Sequence, residues 1–115
     1  MLSIEAMAKA NDSIVVCTYR VKAGREQEFV ALLKRHWPTL MKLGLVHEQP
    51  RMALKGRDTD RTSCFVEVFA WKEGGFQVAH QHPEVLALWE PMEQMCEARG
   101  GHPATEFPHY AVLPL

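Results

Sequence analysis

One carboxylate and two imidazoles are the groups in this chain best suited to moving a proton. Glu67 is the single charge in the apolar run SCFVEVFAW, and His80 and His82 follow that run after a pair of glycines. An imidazole titrates at about 6.5, close to neutral pH, so His80 is a candidate proton acceptor. A carboxylate that is buried without a partner has a raised pKa, which makes Glu67 the second candidate.

Both candidates also have interpretations that involve no chemistry. Glu67 could pair with Arg20 or Arg51 on a neighbouring strand, which would make it a structural residue. His80 could cap a helix end or lie at the surface. The sequence alone leaves these alternatives open.

Metal and disulfide chemistry are less well supported. A metal site would need His80, His82 and Glu67 together with His47, His102 or His109. Two histidines spaced by one residue point to different sides of a helix, so we expect no metal. The cysteines Cys17, Cys64 and Cys96 form no CxxC pair, and we expect them to be reduced thiols of the core.

The length and composition limit the classes of protein to which the chain can belong. Its 115 residues suit one domain, which we place at 13–115, with 1–12 as an N-terminal lead-in. Apolar residues make up 47% of the chain, enough to build a folded core. A net charge of -1 gives no basic field for nucleic acid, and no apolar stretch approaches the roughly 20 residues that span a bilayer. We therefore expect a cytoplasmic protein with neither nucleic acid nor membrane as a partner.

Four stretches have the composition of β-strands: 13–21, 45–54, 63–71 and 103–113. The first and third are the clearest, because they are rich in β-branched and aromatic residues. Pro50 interrupts the second, which is typical of an edge or bulged strand. The polar residues 55–61 predict a hairpin connection between the second and third strands.

Two further stretches have the period of an amphipathic helix. Apolar residues recur at three- and four-residue steps over 29–41 and again over 85–96. Gly44 suits a left-handed cap after the first helix, and Arg99 is expected in the last turn of the second. A short helical piece is expected around 76–80.

The order strand, helix, strand, strand, helix, strand predicts an α+β, ferredoxin-like fold. In that βαββαβ arrangement, both helices cover one face of a four-stranded antiparallel sheet. The first and third strands carry apolar side chains on both faces, so one apolar face stays uncovered. A large exposed apolar patch marks an interface, and we therefore predict a homodimer through the sheet face.

Two stretches resemble the antibiotic biosynthesis monooxygenase-like family. Residues 14–29 combine a strand, a Val-Lys-Ala-Gly turn and an acidic helix start that contains Phe29. Trp71 and His80 are similar in placement to that family's strand-ending tryptophan and the histidine of the helix that follows. The likeness spans about residues 13–113 and implies the dimeric α/β barrel superfamily.

The resemblance implies a cofactor-independent monooxygenase that acts on a small aromatic or quinol substrate. In such relatives a phenol or hydroquinone gives its electron to dioxygen once a base has removed its proton. His80 and Glu67 would then be the catalytic bases, and no cofactor would be needed. The substrate would be lined by aromatic side chains: Trp71, Tyr19, Trp37 and Phe65.

The chain departs from the family's pattern in ways that matter for function. The family often has a glutamate where this chain has Phe69, and Glu67 lies one pair earlier on the same strand face. Haem-degrading relatives have an asparagine on the first strand, which here offers Cys17 and Thr18, and a tryptophan where this chain has His80. Haem degradation is therefore disfavoured. The alternative to an oxygenase is a non-catalytic dimeric barrel that binds a small hydrophobic metabolite in a stress or regulatory role.

Overall fold

The computed structural model describes residues 13–58 and 62–115, which contain eight regular elements. In chain order they are β1 (Ile14–Arg20), α1 (Glu26–Lys42), β2 (Val46–Arg57), β3 (Ser63–Trp71), α2 (Gly75–Ala79), α3 (Pro83–Gln94), β4 (Thr105–Glu106) and β5 (His109–Tyr110). The predicted order of strands and helices is confirmed. The expected lead-in, 1–12, lies outside the described residues. No helix of the described part is long and apolar enough to cross a membrane.

The strands form one antiparallel sheet in the order β2-β3-β1-β4, with β5 also paired to β1. This is the predicted ferredoxin-like arrangement. The last strand was expected to be continuous, and that expectation is wrong: it consists of the two short strands β4 and β5. The interruption falls at Pro108, which has no N–H to donate to the ladder, although its carbonyl accepts a hydrogen bond from the Val16 amide at 3.0 Å.

The helices cover one face of the sheet and build the core on it. Val15, Cys17 and Tyr19 of β1 point to this face and are buried, and the paired residues Phe69 and Phe65 of β3 lie beside them. The helices contribute further buried side chains, namely Phe29, His36 and Leu40 of α1 and Val85, Leu88 and Met92 of α3. The 3.6-residue period of the sequence therefore identified the faces that pack on the sheet.

The opposite face of the sheet, here called the outer face, is apolar and carries no helix of residues 13–58 and 62–115. It is formed by residues that share a side of the three long strands: Ile14, Val16, Thr18, Met52, Leu54, Val66 and Val68. Met52 and Leu54 are 53% and 51% exposed, and the β1 and β3 members are half-buried. Directly opposed residues in antiparallel strands point to one side, so these side chains make a continuous patch.

Strand β2 and helix α3 end at other residues than the sequence suggested. β2 is an edge strand with a register shift before Arg51, as the proline predicted. It continues to Arg57, so residues 55–57 belong to the strand and not to the connector, because they keep pairing with β3. Helix α3 ends at Gln94, and Arg99 lies beyond it, where its guanidinium donates to the Val21 carbonyl at 2.8 Å.

The short helix α2 is held close to the start of β2. The amide of Lys72 donates to the carbonyl of Leu45 at 2.9 Å, and Gly75 lies directly over that carbonyl. A Cβ atom at Gly75 would overlap the Leu45 oxygen, so only glycine fits there. This close approach fixes where α2 carries Phe76 and His80.

Candidate active site

A cavity of about 290 Å³ lies between the helix-covered face of the sheet, helices α2 and α3, and the C-terminal segment. This main cavity is lined by Val15, Cys17, Tyr19, His36, Phe69, Trp71, Phe76, His80, Trp89, Met92, Glu93, Thr105, Phe107 and His109. Its walls are mainly aromatic, and neither Lys nor Arg is among the described residues that line it. The volume and the flat ring surfaces suit a planar molecule of one to three fused rings.

A buried acid and a buried base meet beneath the main cavity. The Nδ1 atom of His36 lies 2.8 Å from Oε1 of Glu67, and the two residues are 2% and 4% exposed. The hydroxyl of Tyr19 donates to the same carboxylate oxygen at 3.1 Å. The sequence candidate Glu67 is therefore paired, and its partners are an imidazole and a phenol.

The arginines that were considered as partners for Glu67 have other contacts. Arg20 lies 3.5 Å from the carboxylate of Asp58 and 3.3 Å from that of Glu106. The guanidinium of Arg51 lies 4.2 Å from the ring centroid of Trp37. Glu67 therefore has no direct bond to either arginine.

The indole of Trp89 determines which nitrogen of His36 carries the proton. Trp89 Nε1 donates to His36 Nε2 at 2.8 Å, and an indole N–H is a donor only. His36 Nε2 must then be the unprotonated acceptor, and the ring proton lies on Nδ1, where it is donated to Glu67. The direction of the whole chain of hydrogen bonds follows from this one donor: Trp89 to His36 to Glu67.

Burial also fixes the protonation of the two β1 side chains beside this network. Burial raises the pKa of the Tyr19 hydroxyl well above its usual range, and the nearby charge of Glu67 raises it further. The same two causes, in the same order, raise the pKa of the Cys17 thiol. Both groups are therefore neutral around pH 7, and neither acts as an anionic nucleophile.

His80 lies at the mouth of the main cavity. It is the C-cap of α2, and its ring packs edge-on against Phe76 and Trp89 with centroid distances of 4.3 and 5.0 Å. His80 is exposed and also lines the main cavity, so it lies between the cavity and the solvent. His82 has a separate role, because its side chain accepts from the Glu84 amide at 3.2 Å and caps α3.

The four aromatic residues that the sequence suggested for a substrate site lie in three different places: the main cavity, a second cavity and the core. Tyr19 and Trp71 line the main cavity. Trp37 lines a second cavity of about 230 Å³, which is formed by Val30, Leu33, Lys34, Trp37, Arg51, Met52, Ala53 and Glu67. Phe65 lies in the core, with its ring centroid 5.4 Å from that of Phe29. Glu67 lines the second cavity and reaches the main cavity through His36.

His36 belongs to the site but was not among the residues predicted from the sequence. A signal for it existed: His36 lies seven residues after Phe29 and four before Leu40, which is the spacing of the buried face of α1. A histidine on such a face needs a buried hydrogen-bond partner, and Glu67 was the one buried carboxylate that the strands offered. Trp89 falls within the apolar helical stretch 85–96, and its N–H could not be assigned a partner without His36.

Metal ligands do not converge in the part of the chain that the structure describes. Among residues 13–58 and 62–115, no group of three or more His, Cys, Asp or Glu side chains could hold a metal ion. His80 and His82 diverge, as their spacing suggested, with one at the main cavity and the other capping α3.

The fold is shared with antibiotic biosynthesis monooxygenase-like structures. The cofactor-independent oxygenase SnoaB from Streptomyces nogalater matches with a TM-score of 0.60 and 16% identity, covering 91% of this chain and 96% of its own. A protein from Bordetella bronchiseptica assigned to the antibiotic biosynthesis monooxygenases matches with a TM-score of 0.62 and 15% identity, over 89% and 99% of the two chains. The resemblance noted in the sequence is confirmed at the level of the fold.

The same fold also carries a different activity. Hydroxynitrile lyase from Passiflora edulis matches with a TM-score of 0.60 and 12% identity, over 90% of this chain and 97% of its own. No family model matches the chain, and no curated protein matches it. The chain therefore has the fold of these proteins, and its function must be argued from its own cavity.

Proposed function

We propose that this protein is a cofactor-independent monooxygenase that acts on a small aromatic or quinol substrate in the main cavity. The observation that carries the proposal is an aromatic cavity of about 290 Å³ with a buried imidazole in its wall, His36, which is backed by the carboxylate of Glu67. A quinol supplies all the electrons itself: one atom of dioxygen enters its ring and the other leaves as water. The protein has only to exclude water, accept a proton and stabilise the developing oxyanion.

Two imidazoles could accept the substrate's proton. One is the sequence candidate His80, and the other is His36, which is bonded to the sequence candidate Glu67. His80 would accept it directly at the mouth of the cavity. Glu67 would act through His36, because it stabilises the imidazolium that forms when Nε2 takes a proton. Trp71 would lie against the substrate ring from the strand side.

The same proposal includes a homodimer through the outer face of the sheet. The exposed side chains of Met52 and Leu54 lie beside half-buried valines with no polar residue but Thr18 among them. Pairing two such faces would remove this apolar surface from water, which is the usual driving force for association. The partner is a second copy because a face of this kind is self-complementary under two-fold symmetry.

A second candidate function is non-catalytic binding of a small hydrophobic metabolite. The observation that favours it is the bond from Trp89 to His36, which occupies the lone pair that a base would use. If that bond persists with a ligand present, His36 cannot accept a proton, and the main cavity only binds its ligand when His80 is not a base either.

Oxygen uptake tests the proposal. The purified protein is mixed with a panel of hydroquinones and dihydroxynaphthalenes in an oxygen electrode, together with two variants that fill one cavity each. Thr105→Phe blocks the main cavity and is expected to abolish uptake, and Ala53→Phe blocks the second cavity and is expected to retain it. Absence of uptake with every quinol contradicts the oxygenase, and tight quinol binding without uptake supports the second candidate.

The role of His80 needs its own variant. His80→Ala is expected to lower uptake at least tenfold if His80 is the proton acceptor, since general base catalysis contributes roughly 10²–10⁴-fold. His82→Ala is the matched control, because His82 caps α3 and does not line the cavity. Unchanged uptake in His80→Ala would remove His80 from the role and leave Glu67, acting through His36.

A further inference from the structure

We propose that the substrate's hydroxyl binds between Trp89 and His36, where it accepts from the indole N–H and donates to the imidazole Nε2. This hydroxyl site specifies how the proposed function binds its substrate. Its part in the reaction rests on that proposed function, although the binding of a hydroxyl can be tested alone. It makes Trp89 and His36 the residues that touch the reacting oxygen, and it defines the substrate class as hydroxyl-bearing aromatics.

Two complementary hydrogen-bonding groups belong to residues of the cavity wall. Trp89 and His36 both line the main cavity, and Trp89 Nε1 donates to His36 Nε2 at 2.8 Å. A hydroxyl can accept one hydrogen bond and donate another, so it can enter such a pair and satisfy both members. A carbonyl or an ether would satisfy Trp89 and leave His36 Nε2 without a partner.

The geometry allows this exchange with a small movement of one side chain. An oxygen at ordinary hydrogen-bond distance from both nitrogens requires them to separate to roughly 4.5–5 Å. His36 is held by its bond to Glu67 and is nearly fully buried, whereas Trp89 is only half-buried. The indole of Trp89 is therefore the part that moves, by about 2 Å, while His36 stays in place.

The charge arrangement favours proton transfer once the hydroxyl is seated. The proton passes from the substrate oxygen to His36 Nε2, which leaves a phenolate and an imidazolium. Nδ1–H of the imidazolium continues to donate to Glu67, whose negative charge stabilises the new positive charge. Trp89 N–H then points at the phenolate oxygen, as the oxyanion donor that such a reaction needs.

The described lining of the main cavity carries imidazoles but no permanently charged cation to bind a substrate that arrives already ionised. No Lys or Arg of residues 13–58 and 62–115 lines it, and the carboxylates of Glu93 in its wall and of Glu67 behind His36 would repel an anion. A neutral phenol that loses its proton only at His36 fits these surroundings, and an aromatic carboxylate does not.

Binding of a matched pair of naphthalenes tests the hydroxyl site without any turnover. The affinities of 2-naphthol and 2-methoxynaphthalene are measured by calorimetry under nitrogen. The wild-type protein is expected to bind 2-naphthol at least about tenfold more tightly, because the ether leaves a buried nitrogen unpaired. His36→Phe, which removes the acceptor, is expected to reduce the ratio below about threefold. Equal affinities in the wild-type protein, or an unchanged ratio in His36→Phe, would overturn the proposal.

A spectroscopic readout keeps the test decisive if His36→Phe does not fold. Addition of 2-naphthol is expected to move the indole N–H resonance of Trp89, which is identified by its loss in Trp89→Phe. The indole of Trp37 has no hydrogen-bond partner among the described residues and lies in the second cavity, so its resonance is the internal control. A Trp89 resonance that does not move while naphthol binds excludes the hydroxyl from this position.

Kinetics then separate binding from oxyanion stabilisation. Trp89→Phe keeps the ring and removes the donor, so kcat for oxygen uptake is expected to fall by roughly 10²-fold with KM nearly unchanged. Trp37→Phe, the matched control, is expected to change neither. A retained preference for naphthol without any oxygen uptake supports the hydroxyl site and contradicts the monooxygenase. Uptake that Trp89→Phe leaves at the wild-type rate contradicts the role of Trp89.

Discussion

The imidazole of His36 donates to the carboxylate of Glu67 across 2.8 Å, although the two residues are 31 positions apart in the chain and lie on different layers of the fold. Helix α1 places the first and strand β3 the second. The bond fixes the helix layer to the sheet by a polar contact inside an otherwise apolar core. It also gives Glu67 a partner that can take up and release a proton, which a permanently protonated arginine cannot do.

Removal of the Glu67 carboxylate is expected to destabilise the protein in a graded way. Glu67→Leu leaves the donors of His36 and Tyr19 unpaired in the core, so the free energy of unfolding should fall by about 2–4 kcal/mol. Glu67→Gln keeps an oxygen acceptor and should cost less. Urea unfolding measures both, and the exposed Glu73→Leu is the control, expected within about 0.5 kcal/mol of the wild type. Equal stability of Glu67→Leu and the wild type would show that the polar pair is replaceable by packing.

The fold was largely predictable because its signals are local. The β-branched run of β1, the Val-Lys-Ala-Gly turn and the stripe of α1 each depend on neighbouring residues, and the structure contains all three elements. The ends of β2 and the split of the last strand were not predictable in the same way, because they depend on which partner strand supplies each hydrogen bond. Tertiary pairing overrode composition at 55–57, where polar residues continue the strand.

The site was predictable only in part, because it is made of long-range contacts. Glu67 was predicted as a site residue because it is the single charge in an apolar strand. Trp71 was predicted because it is the aromatic residue at the end of that strand. His36 did not, since a histidine inside an amphipathic helix is unremarkable until the residue across the core is known. The role of the Trp89 indole N–H depends on its acceptor, His36, which is 53 residues away in the chain.

The stability of the protein is expected to fall at alkaline pH because of Cys17. Burial raises the pKa of the Cys17 thiol above its usual value of 9.0, so the folded state keeps the proton that the unfolded chain loses. Its stabilising contribution is complete below pH 9 and decreases above it, by about 1.4 kcal/mol between pH 8 and pH 10. Urea unfolding of the wild type and Cys17→Ala at both pH values measures this difference. Tyr19 contributes to both proteins, so only the difference between them is assigned to Cys17. Identical losses in the two proteins would contradict the assignment.

Gly75 is expected to tolerate no side chain. A Cβ atom would overlap the Leu45 carbonyl oxygen, which already accepts from Lys72, so Gly75→Ala must displace α2 from the start of β2. We expect a loss of about 1–3 kcal/mol in the free energy of unfolding. The displacement should also disturb His80 and Phe76, which α2 carries into the wall of the main cavity. Gly56→Ala is the control, because nothing lies within 4 Å of a Cβ there and its φ is not positive. Chemical unfolding of both variants checks the contrast, which would be absent if α2 could shift freely.

A single charge on the outer face is expected to turn the proposed homodimer into a monomer. Leu54 is half exposed and sits opposite Val66 in the patch, so a lysine there would be buried against its own copy when two sheets pack together. An unpaired charge in such an interface is costly, whereas in the monomer the same lysine reaches water. Leu54→Lys should therefore change the association state and leave the fold intact.

Sedimentation velocity at micromolar concentration, with circular dichroism of each protein, checks this expectation. The control is Val78→Lys, because Val78 is 49% exposed on α2 and lies away from the outer face. The wild type and Val78→Lys should sediment as dimers, and Leu54→Lys as a folded monomer. A monomeric wild type would mean that water covers the outer face, and the dimer would have to be abandoned. A dimeric Leu54→Lys would move the interface to another surface, because two packed sheets would have to bury an unpaired lysine from each copy.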